Sequence, residues 1–274
     1  WQHHFGNGLV PSVGDFGVRA EPPTHPELFE WLVRDFVEHG WRVKRLQRMI
    51  VLSATYRQRS TGIVPAIDPD NRLLWKMPLQ RLEGEILRDS MLAVSGTLNR
   101  ATYGPAVKPP IAREAILARN LKDPYPEKIA DGAEQRRRSI YLFHKRVVPY
   151  PLLQAFDKPD AQQSCGRRDR TTVAPQALAL LNDPFVRTMA TEFASRLLFE
   201  AGTEPADWIR RGYQLGLGRS PGEDERVEAE RFLSAQIAER KQREPGAPDE
   251  TVRKQALADF CQIVFSLNEF LYVD

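Results

Sequence analysis

The residues of this chain best suited to chemistry crowd into one stretch. Arg146, Asp157, Arg168, Thr171, Thr172 and Gln176 follow closely on one another. An arginine offers a planar, permanently charged fork that meets a carboxylate or a phosphate-like group with two hydrogen bonds. A nearby aspartate can orient that fork, and Thr and Gln present neutral donors and acceptors to a hydroxyl-rich ligand. The apolar run that follows, Val173 to Leu181, predicts a helix whose first N–H groups add partial positive charge. The pattern therefore predicts a site for an anion or a polyol at a helix start. A purely structural account uses the same residues. Thr171 or Thr172 caps the helix, Pro175 sits in its first turn, and Arg168 pairs with Asp157 or Asp160 to fix the loop.

Three other groups of residues invite a chemical reading. His3 and His4 are adjacent, and on a helix adjacent side chains diverge by about 100°. They are poor chelators together, but either one can carry a proton beside Arg168. His3, His4 and Arg168 are thus the catalytic candidates, with Arg146, Asp157, Thr171, Thr172 and Gln176 as candidates for substrate binding. Glu85 and Asp89 lie one helical turn apart, a spacing that suits a metal or acid/base work. Beside Arg81 and Arg88 they read more simply as ion pairs. Cys165 falls in a polar loop and Cys261 on an apolar helical stripe, so no disulfide is expected. Neither belongs to a CxxC or CxxCH motif, so the chain carries no haem attachment motif and no metal site is expected.

The elements that must position these groups are mostly helices. Thr24-His25-Pro26-Glu27 reads as a capping box, opening a helix to about His39 with Leu28, Trp31, Leu32 and Phe36 on its inner face. A second helix is predicted from about Val43 to Arg57. Leu87, Met91, Val94 and Leu98 mark the inner stripe of a third. Prolines at 105, 109, 110, 124 and 126 make 101–135 a long loop or insertion. Ser139 to His144 reads as a short buried strand. Asp183-Pro184 caps the next helix, a shorter one lies around Ala206 to Leu215, Ser220-Pro221-Gly222-Glu223 opens another, and the last runs from about Asp249 to Leu267. The expected fold is mostly α: a multi-helix domain with a small β element near residues 139–144. Its parts are an N-terminal helical part (1–100), the proline-rich segment (101–135) and a C-terminal part (136–274), together one continuous domain.

Composition narrows the function classes. The chain has 274 residues, 42% of them hydrophobic and 27% charged, enough to bury a core. No apolar run approaches the roughly twenty residues of a membrane span. Its 39 basic and 36 acidic residues leave a net charge of +3, and the basic residues are scattered rather than gathered on one face with stacking aromatics. Nucleic-acid binding is not expected. The chain begins at Trp1 with no signal-peptide pattern, which reads as a piece of something longer.

Several blocks together resemble a known family. They are Trp1 to Val10 with Asp15-Phe16-Gly17; His25-Pro26-Glu27-Leu28; Ser53-Ala54-Thr55-Tyr56-Arg57; Arg88-Asp89 with Ser95-Gly96; Cys165 through Phe185; Leu217-Gly218-Arg219-Ser220-Pro221; and Leu267 to Asp274. The chain resembles the planctomycete-specific family known as domain of unknown function 1553. The resemblance implies an exported protein, periplasmic or extracellular, often with a cytochrome-c-like domain and a second domain upstream. Those upstream domains, including a c-type cytochrome, would be its partners. It implies no catalytic residues and names no cofactor of this chain. Two function classes remain. One is a module of a redox or carbohydrate-processing enzyme. The other is a non-catalytic module that docks a cytochrome domain or an extracellular polymer.

Overall fold

The computed structural model describes residues 1–117, 125–126 and 128–273, and the chain divides into two compact units. The first comprises Trp1–Arg81 with the short C-terminal strand, and the second comprises Leu82–Leu271.

In the first unit, helix α1 (Gln2–Phe5) buries Phe5 against Ile50 and Met77. Helix α2 (Pro26–Glu38) starts on a proline and ends at Gly40, whose left-handed φ of 72° a side chain would resist. Helix α3 (Val43–Leu52) returns beside it. The buried carboxylate of Asp35 on α2 accepts from Arg45 on α3 and ties the two together. Three sequence expectations fail here. Thr24 does not cap α2: its hydroxyl meets the His25 ring nitrogen at 2.8 Å instead, and the N-cap residue is His25. Helix α3 stops short of Arg57, because Ser53 turns extended and its hydroxyl donates back to the Ile50 carbonyl. Trp31, expected inside, is half exposed. Strands β1 (Gln80–Arg81) and β2 (Tyr272–Val273) pair antiparallel, with Gln80 opposite Val273.

The second unit holds the main core. Helix α4 (Gly84–Val94) is followed by the short α5 (Arg113–Leu117), α6 (Pro151–Ala155) and α7 (Ala174–Asn182). Then come α8 (Pro184–Glu200), α9 (Pro205–Leu217), α10 (Glu223–Arg243), α11 (Asp249–Ser266) and α12 (Asn268–Leu271). Helices α8 and α11 are the central pair: Phe193 and Phe265 stack with centroids 5.7 Å apart, and Cys261 is fully buried among them. Cys165 is exposed, and both cysteines are free thiols. Asp183 caps α8 as its sequence predicts, accepting from Phe185 N at 2.8 Å. Helix α10 is capped differently from the prediction: Gly222, not Ser220, is the N-cap, and Glu225 reaches back to the Gly222 N–H at 2.7 Å.

The mostly α fold with a small β element is as expected, but the stretch 139–144 contributes less strand than predicted. Ser139–Tyr141 is a single 3-10 turn, and only Leu142 bridges, to Val107. Leu142 is buried with that single bridge. The segment 101–135 is irregular apart from α5, as its prolines require. Within it, residues 118–124 and 127 lie outside the described residues.

Candidate functional site

Arg168 lies in the second unit, and its partners come from the start of α4. Its Nη1 donates to Glu85 Oε2 at 2.7 Å and its Nη2 to Glu85 Oε1 at 3.1 Å, a two-pronged pair, with Glu83 Oε2 at 3.2 Å from Nη1. The structure thereby corrects the expectation that Arg168 pairs with Asp157 or Asp160. Glu85 makes a partly buried ion pair, but its partner Arg168 comes from far along the chain. Gly84 eases this arrangement. A Cβ there would sit 3.1 Å from Phe156 Cβ and 3.3 Å from the Leu153 Cα, so any larger residue would push α6 away from the start of α4 by a few tenths of an ångström. Asp89, by contrast, accepts from Ser139 N and Oγ, both at 2.7 Å, and lies 3.6 Å from Arg88.

Asp157, Thr171 and Gln176 do converge, on one another. Asp157 adopts a left-handed φ of 57° at the end of α6, and its carboxylate accepts from Thr171 N and Thr171 Oγ1, both at 2.8 Å. Gln176 donates to Thr171 O at 3.1 Å and closes the start of α7 by accepting from Val173 N at 3.4 Å. Val173 is therefore the N-cap, not Thr171 or Thr172, and Thr172 is exposed beside it. These residues hold the loop 157–173 in place.

Two residues missed in the sequence complete the cluster. Lys158 Nζ lies 2.8 Å from His144 Nδ1, so an ammonium donates to a neutral imidazole. Burial pushes the His144 imidazole below its ordinary value, and the Lys158 charge adds to this. Burial likewise lowers the Lys158 ammonium, with Glu85 opposing. Burial, the largest influence, works to raise the Glu85 carboxyl, but the Arg168 hydrogen bonds and charge, a backbone hydrogen bond and the Lys158 charge together hold it below the ordinary value. Lys158 also lines an open groove of about 570 Å³, together with Lys145, Arg146, Gln154, Asp160 and Gln162. Arg146, a sequence candidate, is exposed there. No periodicity in the sequence marks His144 or Lys158; the one signal was the run Asp157-Lys158-Pro159-Asp160, dense in polar residues just before the arginines.

His3 and His4 belong to the first unit. Both lie on α1, His3 exposed and His4 edge-on to Tyr56 at 5.7 Å. Burial lowers the His4 imidazole. Among the described residues, no group of three His, Cys, Asp or Glu is placed to hold a metal ion.

The apolar half of the same stretch faces a second concavity. Pro175, Leu178, Ala179, Pro184 and Phe185 form one wall of a cleft of about 700 Å³. Pro109 to Ala112, Arg88 and Tyr150 also line it.

A family model for PSD1, a protein of unknown function (DUF1553), matches residues 1–233. The chain belongs to that family. The PSD1 match takes in Glu85, His144, Arg146, Lys158, Arg168 and both concavities; α11 lies beyond it. No curated protein and no solved structure matches the chain. No helix among the described residues is long and apolar enough to cross a membrane.

Proposed function

We propose that this chain is the ligand-binding module of an exported, planctomycete-type PSD1 protein, working in the periplasm or outside the cell beside a cytochrome-type domain. Its groove takes an anionic, hydroxyl-rich ligand of the acidic-saccharide class. One observation carries this reading: Lys145, Arg146 and Lys158 line a single open groove whose one carboxylate is Asp160. Glu83 and Glu85 already face Arg168. Gln154 and Gln162 add neutral hydrogen-bonding groups suited to hydroxyls. In the catalytic version of this reading, the His144–Lys158 pair moves a proton at the edge of the groove.

A non-catalytic docking module for a cytochrome domain or an extracellular polymer is the second reading. It is favoured by Asp157, Thr171 and Gln176 bonding to one another. Calorimetry at low salt separates a charge-reading site from none. Trigalacturonate should bind while a neutral trisaccharide of equal length does not, and Arg146→Ala should weaken binding by about tenfold without altering the fold. Equal affinity for the neutral sugar, or an unaffected Arg146→Ala variant, would overturn the acidic-saccharide reading.

A further inference from the structure

The cleft beside α7 is lined mainly by apolar surface, with polar and charged groups among it. Pro109, Ile111, Pro151, Leu178 and Phe185 supply apolar surface, and its volume of about 700 Å³ falls in the range of small-molecule sites. Arg88 and Tyr150, which also line it, are 1% and 7% exposed. The Arg88 terminal nitrogens are occupied. Nη1 donates to Arg137 O at 3.0 Å and Ser139 Oγ at 3.2 Å, and Nη2 to Gln135 O at 2.6 Å. Its Nε–H is buried and meets no acceptor in hydrogen-bond geometry among the described residues, although the guanidinium also interacts with the Tyr150 phenol. A buried donor left without an acceptor destabilises a fold, so its retention beside a cleft calls for an explanation.

Charge restricts what can enter. Glu114 and Asp183 stand around the cleft, together with Asp131, itself paired to Arg136, and this disfavours an anion. A cation would have to seat against the buried guanidinium of Arg88, which disfavours it too. We propose that the cleft binds an uncharged, mostly apolar small molecule bearing one carbonyl oxygen. That oxygen accepts from the Tyr150 hydroxyl and the Arg88 Nε–H. Burial raises the Tyr150 phenol, with the Arg88 charge and hydrogen bond opposing, and burial also raises the Asp183 carboxyl. This cleft and the basic groove share no residue, so either can fail without the other.

Three probes on one ring system test it against the full chain: 2-acetylnaphthalene, 2-naphthoate and 2-naphthylmethylammonium, measured by calorimetry. The ketone should bind at least about tenfold more tightly than either ion. Tyr150→Phe should weaken the ketone by roughly tenfold and leave the ions unchanged. Ala179→Phe, which fills the cleft from α7, should abolish ketone binding, with circular dichroism confirming that both variants keep their helices. No binding of the ketone, ions binding as tightly as the ketone, or ketone affinity undiminished in Ala179→Phe would each overturn the proposal.

Discussion

Arg88 and Arg168 stand at opposite ends of one physical scale. Arg88 is 1% exposed, and its partners are two backbone carbonyls and a serine hydroxyl, with the Asp89 carboxylate at 3.6 Å. The Arg168 side chain is 32% exposed, and its partners are two carboxylates. The first is a strap. It ties α4 to the residues just before the 3-10 turn, and Phe185 packs 5.1 Å from its guanidinium carbon. The second is a half-open electrostatic contact beside a groove. A cation out of water depends on every bond it makes, whereas water can replace much of what a half-open ion pair supplies. The two arginines therefore fail differently when removed.

The largest effect should come from Arg88→Met. It leaves Gln135 O, Arg137 O and the Ser139 hydroxyl without their donor inside the core. Loss of about 3–5 kcal/mol is expected, the range for breaking a buried charged contact. Urea denaturation measures it, and a loss below about 1 kcal/mol would mean that water replaces the arginine and that the site is not dry.

Arg168→Ala should cost much less. The pair is bidentate, but both ends are partly solvated, so about 0.5–1 kcal/mol is expected, shrinking as salt rises. A loss as large as that for Arg88→Met would erase the contrast and make Arg168 a second strap. The expected pattern is a stable variant whose groove has changed, with Glu83 and Glu85 released beside Lys158.

What the sequence made legible follows from the range of the interactions. The caps at Asp183, the breaks at the prolines and the stripe on α4 are local, so periodicity and turn chemistry found them. The importance of the stretch from Cys165 to Phe185 was also legible, because a polar run abutting an apolar one must sit at a boundary. Its partners were not. Glu85 meets Arg168 across most of the second unit's early chain, and Lys158 meets His144 across α6. Nothing in residue spacing encodes such a contact. The strand read at 139–144 failed for a related reason. An apolar hexapeptide fits a strand or a buried turn equally well, and Leu142 has a single bridging partner. The Thr171 cap failed because Asp157, itself held in a left-handed turn, took that hydroxyl first.

The smallest effect sharpens the comparison by pH rather than by truncation. No imidazole contacts the Arg88 guanidinium among its described partners, whereas the Arg168 cluster contains His144. Burial and the neighbouring Lys158 charge hold His144 below its ordinary value of 6.5. The unfolded chain therefore binds that proton more readily than the folded one, and stability must fall as pH drops through 6.5 toward the lower folded value. Above 6.5 the contribution is complete. Glu85 titrates in a separate window, since its carboxyl is held below its ordinary 4.5 and its pairing is lost only in stronger acid. His144→Asn keeps an acceptor for Lys158 but removes the titration. Urea midpoints measured across this range should fall less steeply in the variant than in the parent. His4, whose imidazole is also lowered by burial, contributes equally to both proteins and drops out of the difference. Identical slopes would mean that His144 keeps its proton as readily folded as unfolded. Lys158 would then not be donating to a neutral ring, and proton transfer at this edge of the groove would lose its carrier.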